Sequence, residues 1–145
     1  MSEQIYVGAD HAGFELKQKL VGALKQLGYD PVDVGPKQLD PQDDYPDYAK
    51  PVAEAVSDGK VARGVLTCGT GLGMSYAANR FPHVRAAVAW SPEVAELSRK
   101  HNDANILVLP SRFVSDDEGL AILKKFLDTP FEGGRHLRRV EKIDD

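Results

Sequence analysis

Five short runs rich in β-forming residues, Ile5-Tyr6-Val7, Pro31 to Val34, Gly64 to Thr67, Ala86 to Ala89 and Ile106 to Leu109, recur along the 145-residue chain with helix-like stretches between them. That alternation limits the fold more than any other feature. Runs that are apolar at nearly every position, not at every second one, are buried on both faces, and such strands belong to a parallel sheet covered by its crossover helices. The stretches between them supply the helices. Phe14, Leu16, Leu20, Leu24 and Leu27 keep helical spacing and stop at Gly28, a glycine suited to the C′ position, while Val52 to Val56, Met74 to Asn79, Pro92 to Lys100 and Glu118 to Leu127 provide four more. With right-handed crossovers the expected fold is α/β, a single-domain, doubly wound, Rossmann-like five-stranded parallel sheet with helices on both faces, spanning residues 1–145.

The formal net charge of −4 gives no general attraction to nucleic acid or to anionic membranes, so neither is expected as a partner. The apolar runs fall far short of the ~20 residues that cross a bilayer. A single cysteine forms no intrachain disulfide, and the opening Met-Ser-Glu-Gln lacks the basic and long apolar regions of a signal peptide, so a cytoplasmic location is expected.

Ligands of doubly wound sheets bind beyond the carboxyl ends of the strands, where Asp10-His11, Cys68 to Gly73 and Ser111-Arg112 all fall. The second segment is the most reactive of the three. An apolar strand ends in the only cysteine and passes through Gly69, Gly71 and Gly73 into a helix. Glycines let successive N–H groups converge on an anion, and the helix N-terminus adds positive partial charge, which should also lower the pKa of the Cys68 thiol. Nucleophile and base are both open roles, as is that of a small buried strand-end residue beside a tight turn. A dinucleotide fingerprint would need a glycine at Met74 and an acid near Ala89 or Trp90, and a Walker loop would need Gly-Lys-Ser/Thr; the loop should therefore hold something smaller than a nucleotide.

Other candidates have two readings each. Asp10 can cap the helix that follows, or the Asp10-His11 pair can supply acid, base or ligand groups. His101, before Asn102-Asp103, suits a helix C-terminus as a cation and suits catalysis equally. Arg135 and Arg139 lie one helical turn apart in a basic cluster with His136 and Arg138, and either grip a phosphate or form a solvated face. The acidic loop from Pro36 to Pro46 suggests only solvation. The four histidines and one cysteine show no HxxxH or CxxC pair, so no metal is expected. A dianion grip, an amide loop and a thiol together suggest a small phosphorylated substrate whose reaction develops a negative oxygen, as enolisation does.

Val7-Gly8-Ala9-Asp10-His11-Ala12-Gly13, Asp44-Tyr45-Pro46, Cys68-Gly69-Thr70-Gly71-Leu72-Gly73, Ala78-Asn79, His101-Asn102-Asp103 and Gly133-Gly134-Arg135-His136 with Arg139 extend over nearly the whole chain. In this combination the chain resembles the ribose-5-phosphate isomerase B family. The resemblance implies an enzyme without metal or other cofactor that interconverts ribose 5-phosphate and ribulose 5-phosphate through an enediolate. It also implies a homodimer or dimer of dimers with shared sites, the C-terminal arm of about 132–145 reaching the partner. Carried onto matching positions, Cys68 is the base and Thr70 assists proton transfer, while the amides of Gly69, Thr70, Gly71, Leu72 and Gly73 form the anion hole. His101 from the partner opens the sugar ring, Asp10 and Tyr45 contact sugar hydroxyls or assist, Asn102 contacts the sugar, and His11, Arg112, Arg135 and Arg139 bind phosphate. Met74 stands where another branch of the family has a glutamate base, which places this chain with the cysteine-base branch. The related galactose-6-phosphate isomerase subunits lack the His-Asn-Asp triplet, and allose 6-phosphate is an alternative substrate. A non-catalytic sugar-phosphate-binding protein would leave Cys68, Thr70 and His101 unexplained.

Overall fold

A computed structural model describes residues 2–145. In chain order it contains β1 (Gln4–Ala9), a 3-10 turn (His11–Gly13), α1 (Phe14–Gln26), β2 (Asp30–Asp33), α2 (Pro46–Ser57) and β3 (Arg63–Cys68). Then come α3 (Leu72–Ala78), β4 (Ala86–Val88), α4 (Pro92–Asn102), β5 (Ile106–Pro110), α5 (Asp116–Asp128) and α6 (Arg135–Glu141). The strands form one sheet in the order β2-β1-β3-β5-β4, every neighbouring pair parallel.

Successive strand side chains point to opposite faces, so each inner strand feeds two cores. Val65, Leu107 and Leu109 pack with Leu16, Leu20 and Leu24 of α1, Ala95 of α4 and Ile122, Leu123 and Phe126 of α5. Their neighbours Leu66, Cys68, Ile106 and Val108 pack on the other face with Val52, Ala53 and Val56 of α2 and Met74 and Ala78 of α3. The strand order reverses between β1 and β3: from β1 the chain winds outward to β2, and from β3 it winds the other way. A crevice opens where the two crossovers diverge.

Several element ends differ from the sequence reading. Helix α2 begins at Pro46 instead of Val52, because a proline at the start of a helix gives up no hydrogen bond there. Helix α5 begins at Asp116 instead of Glu118: Ser115 Oγ accepts from the Glu118 amide at 3.1 Å and Glu118 Oε1 accepts from the Ser115 amide at 3.0 Å, a reciprocal cap. Helix α4 continues through His101 to Asn102 and stops at Asp103, whose φ is +49°. Gly28 takes a φ of +93° directly after α1 and its cap Leu27, as a C′ glycine should.

Two contacts fix the rims of the crevice. Lys17 of α1 is fully buried, and its ammonium donates to both Asp33 carboxylate oxygens, at 2.9 and 3.0 Å, and to the Pro36 carbonyl at 2.6 Å, fastening the segment after β2. Gly13 lies against the Thr67 backbone of β3 so closely that a Cβ there would collide with the Thr67 carbonyl. Gly13→Ala should therefore lower stability by roughly 1–3 kcal/mol through overpacking. In contrast Gly22→Ala, in an α1 position where an added Cβ meets nothing within 4 Å, should raise it by about 0.5–1 kcal/mol. Thermal melts of the two variants check both signs.

Candidate active site

The crevice at the carboxyl ends of β1, β3 and β5 has a volume of about 200 Å³ and is lined by Asp10, His11, Ala12, Tyr45, Cys68, Gly69, Thr70, Gly73 and Arg112. Ser111, placed at the crevice by the sequence but given no role there, knits the three segments. Its hydroxyl donates to the Ala12 carbonyl at 2.8 Å and lies 3.1 Å from the Cys68 carbonyl, while its amide donates to the Cys68 carbonyl at 2.9 Å. The Arg112 amide donates to the Gly69 carbonyl at 3.0 Å, and a Cβ on Gly69 would stand 3.0 Å from Arg112 Nε, so a side chain there would push the guanidinium from its place over the loop. A side chain on Gly73 would strike the Tyr45 ring, 2.7 Å away.

Asp10 is buried and caps the 3-10 turn, its Oδ1 accepting from the amides of Ala12 at 3.0 Å and Gly13 at 3.2 Å, the first of its two sequence readings. His11 pairs with Asp43. Asp43 Oδ1 accepts from the His11 amide at 3.0 Å and lies 2.8 Å from His11 Nδ1. This hydrogen bond raises the His11 pKa, with the charges of Asp10 and Asp43 adding to it and burial opposing it. The Asp43 side chain is only 5% exposed and its Oδ2 is buried without a hydrogen-bond partner among the described residues. The acidity of the Pro36 to Pro46 loop is therefore more than solvation. Nothing in the sequence separated Asp43 from Asp40 or Asp44.

The largest correction concerns Cys68. Its side chain ends a buried strand on the face covered by α2 and α3, and burial pushes the thiol pKa up, opposite to the lowering expected from the loop. The amides of Met74, Gly71 and Thr70 do point at the sulfur and pull the other way, and Asp10 adds a further push upward. The loop amides are thus aimed largely at the sulfur. Gly71 takes a φ of +78° with its back against Val88 and Val108, and the Leu72 amide is occupied by Thr70 Oγ1 at 3.2 Å.

His101, Asn102, Arg135 and Arg139 do not line the crevice. A crossover helix runs antiparallel to the strands it joins, so the end of α4 lies at the opposite, amino edge of the sheet. Asn105, just after it, bonds to Gly64 and Arg85 where β3 and β4 start, whereas Cys68 pairs with Pro110 at the far end of β5. Strand β5 alone spans roughly 13 Å between those edges. Helix α6 joins His101 there: the Glu132 amide donates to the Lys100 carbonyl at 3.1 Å, and the His101 and His136 rings stack with centroids 4.4 Å apart. Burial, His101 and Arg135 lower the His136 pKa, which favours the neutral ring.

The Ribose/Galactose Isomerase model matches residues 5–143. The chain belongs to that family. A ribose-5-phosphate isomerase B of Escherichia coli is 45% identical over 141 residues, 97% of this chain and 94% of the relative. A ribose 5-phosphate isomerase structure from Thermotoga maritima superposes with a TM-score of 0.95 at 46% identity, covering 99% of both chains. The Mycoplasma genitalium ribose-5-phosphate isomerase B with bound ribulose-5-phosphate gives 0.95 at 45% identity, covering 99% of this chain and 95% of that one. The five-stranded parallel sheet is thus the architecture of the family.

Two measurements test the electrostatics. Cys68 is the single thiol, so alkylation by iodoacetamide reads it alone: the rate should be slow at pH 7 and climb on a limb centred above the ordinary thiol value of about 8.5. A midpoint at or below that value would contradict the dominance of burial. Asp43→Asn should move the His11 pKa down toward its ordinary value, measured by NMR titration of the imidazole.

Proposed function

We propose that this chain is an aldose–ketose isomerase that interconverts ribose 5-phosphate and ribulose 5-phosphate through an enediolate, with Cys68 as the base. The observation that carries the proposal is a lone thiol ringed by backbone amides, with His11 and Arg112 as cations in the same crevice, in a member of this isomerase family. A proton next to a carbonyl leaves carbon only if a positioned base takes it while dipoles hold the oxyanion. Burial makes the Cys68 thiolate scarce at pH 7 and strongly basic once formed, a trade that favours abstraction from carbon. The amides of Thr70, Gly71 and Met74 hold its charge, and Thr70, which lines the same crevice, passes protons between the sugar oxygens. His11, whose protonated form Asp43 favours, and Arg112 receive the phosphate; Asp10 and Tyr45 face the sugar. Phosphorylated sugars do not cross bilayers unaided, which favours a cytoplasmic location, and no described helix is long and apolar enough to span a membrane.

The working site is shared between two copies of the chain. At about 200 Å³ the crevice is smaller than the roughly 300–1,000 Å³ of a typical ligand pocket, and one wall is missing. The remaining candidates, His101, Asn102, Arg135 and Arg139, sit at the wrong edge of their own sheet to supply it. A second copy brings them. Exposed apolar side chains supply a surface for that contact: Leu72 of the loop, Tyr76, Trp90 after β4 and Phe113 next to Arg112, the last 71% exposed. His101 of the partner then acts as the acid and base that open the furanose, and the partner's arginines complete the phosphate grip. A homodimer, alone or paired into a dimer of dimers, meets this requirement.

Turnover of ribose 5-phosphate in the presence of chelator tests the activity. Cys68→Ala should abolish turnover while leaving phosphate-ligand affinity nearly intact. Arg139→Ala should raise KM by about one to two orders of magnitude, the loss of one charge-assisted phosphate bond. Once mass spectrometry shows subunit exchange, a mixture of the two variants should recover about a quarter of wild-type activity, because roughly half the dimers are mixed and each holds one intact site. Exchange without recovery would refute the shared site.

A further inference from the structure

Two clusters bring imidazole and carboxylate groups within reach of a common ion: Asp10, His11 and Asp43 in the crevice, and His101, Glu132 and His136 at the amino edge. In the first, His11 Nδ1, Asp43 Oδ1 and Asp10 Oδ1 are already engaged, the first two with each other and the last with two amides, and Asp43 Oδ2 is enclosed by protein. In the second the ligand atoms are not engaged. His101 Nε2 and His136 Nε2 each lie 3.7 Å from the same oxygen, Glu132 Oε1, too long for a hydrogen bond, and all three ligand atoms fall within 4.8 Å of one another.

We propose that His101, Glu132 and His136 form a binding site for a borderline divalent cation, Zn2+ above all, and that its occupancy takes His101 out of ring opening. The second half rests on the function proposed above; the first does not. Two imidazoles and one carboxylate match the nitrogen-rich donor set of zinc and not the all-oxygen shell of magnesium or calcium. Tetrahedral bonds of about 2.0–2.1 Å place ligand atoms about 3.3 Å apart, so the two 3.7 Å contacts close by roughly 0.4 Å and the two imidazole nitrogens, within 4.8 Å of each other, by at most about 1.5 Å as the stacked rings tilt toward a common point. Within one chain the side chains that must move are the more open ones, His101 being 42% and Glu132 52% exposed, while His136 is 14% exposed and stays as the anchor. The backbone bond from Glu132 to Lys100 holds the last turn of α4 and the approach to α6 together before any ion arrives. A fourth position remains for water. Spacing along the chain concealed this set, because the two histidines belong to different helices and meet only through the fold. A metal on Nε2 occupies the lone pair with which His101 would exchange a proton with the sugar.

Calorimetric titration of the chelator-stripped full chain with Zn2+, and the absorption spectrum with Co2+ as a tetrahedral reporter, test the site. One ion per chain should bind. Glu132→Gln and His136→Gln, folded by circular dichroism, should each weaken binding at least about tenfold, whereas Cys68→Ala and His11→Asn should leave it unchanged. No binding by the wild type, or binding that survives His136→Gln and disappears in Cys68→Ala or His11→Asn, would overturn the proposal. In parallel, Zn2+ should depress ribose 5-phosphate turnover of the wild type and spare His136→Gln relative to its own metal-free rate. Zinc bound through these residues with turnover untouched would overturn the inhibitory half and the role of His101 with it. A chain with no isomerase activity at all would refute the functional reading and leave calorimetry to decide the site.

Discussion

Every strand of the sheet runs the same way, and that single constraint arranges everything else. A parallel sheet must hide both faces under crossover helices, so all strands leave at one edge and all those helices end at the other. Groups placed at strand ends, Asp10, Cys68 and Arg112, therefore gather in one crevice. Groups placed at the end of a crossover helix, His101 and Asn102, are carried to the opposite edge, where α6 and its arginines join them. A chemistry that needs both sets cannot be completed within one copy of such a fold. The shared site proposed above thus has its physical reason in the direction of the strands.

Within the crevice, local dipoles and burial pull against each other. The amides of Thr70, Gly71 and Met74 favour the Cys68 thiolate, yet the sulfur closes a buried strand beneath α2 and α3, and desolvation outweighs them. For His11 the balance goes the other way, because it is partly exposed and its partner Asp43 is the group that is buried. Both groups are thus shifted upward, the thiol by desolvation and the imidazole by its carboxylate partner, which under the proposed function suits removal of a proton from carbon near a bound phosphate.

Rigid supports hold these groups. Lys17, enclosed between α1 and the end of β2, fastens the segment that leads to Asp43 and Tyr45, and a buried ammonium left without Asp33 would cost several kcal/mol. Ser111 ties three strand ends with one side chain. Gly13, Gly69 and Gly73 are small because backbone, guanidinium and phenol ring respectively lie where a Cβ would go.

The order of strands and helices was legible in the chain because burial on both faces leaves apolar runs, and helical spacing with Gly28 leaves a pattern that needs no knowledge of neighbours. The glycine loop after Cys68 and the segments at the strand ends were legible for the same reason: their positions follow from local geometry. Element starts governed by caps, such as Pro46 and Ser115, were legible only in part, since prolines and acidic residues there read equally as loop. The sign of the Cys68 shift, the pairing of Asp43 with His11, the junction made by Ser111 and the meeting of His101 with Glu132 and His136 were not in the sequence at all. Each depends on desolvation or on contacts between residues many positions apart, and those quantities exist only once the chain has packed.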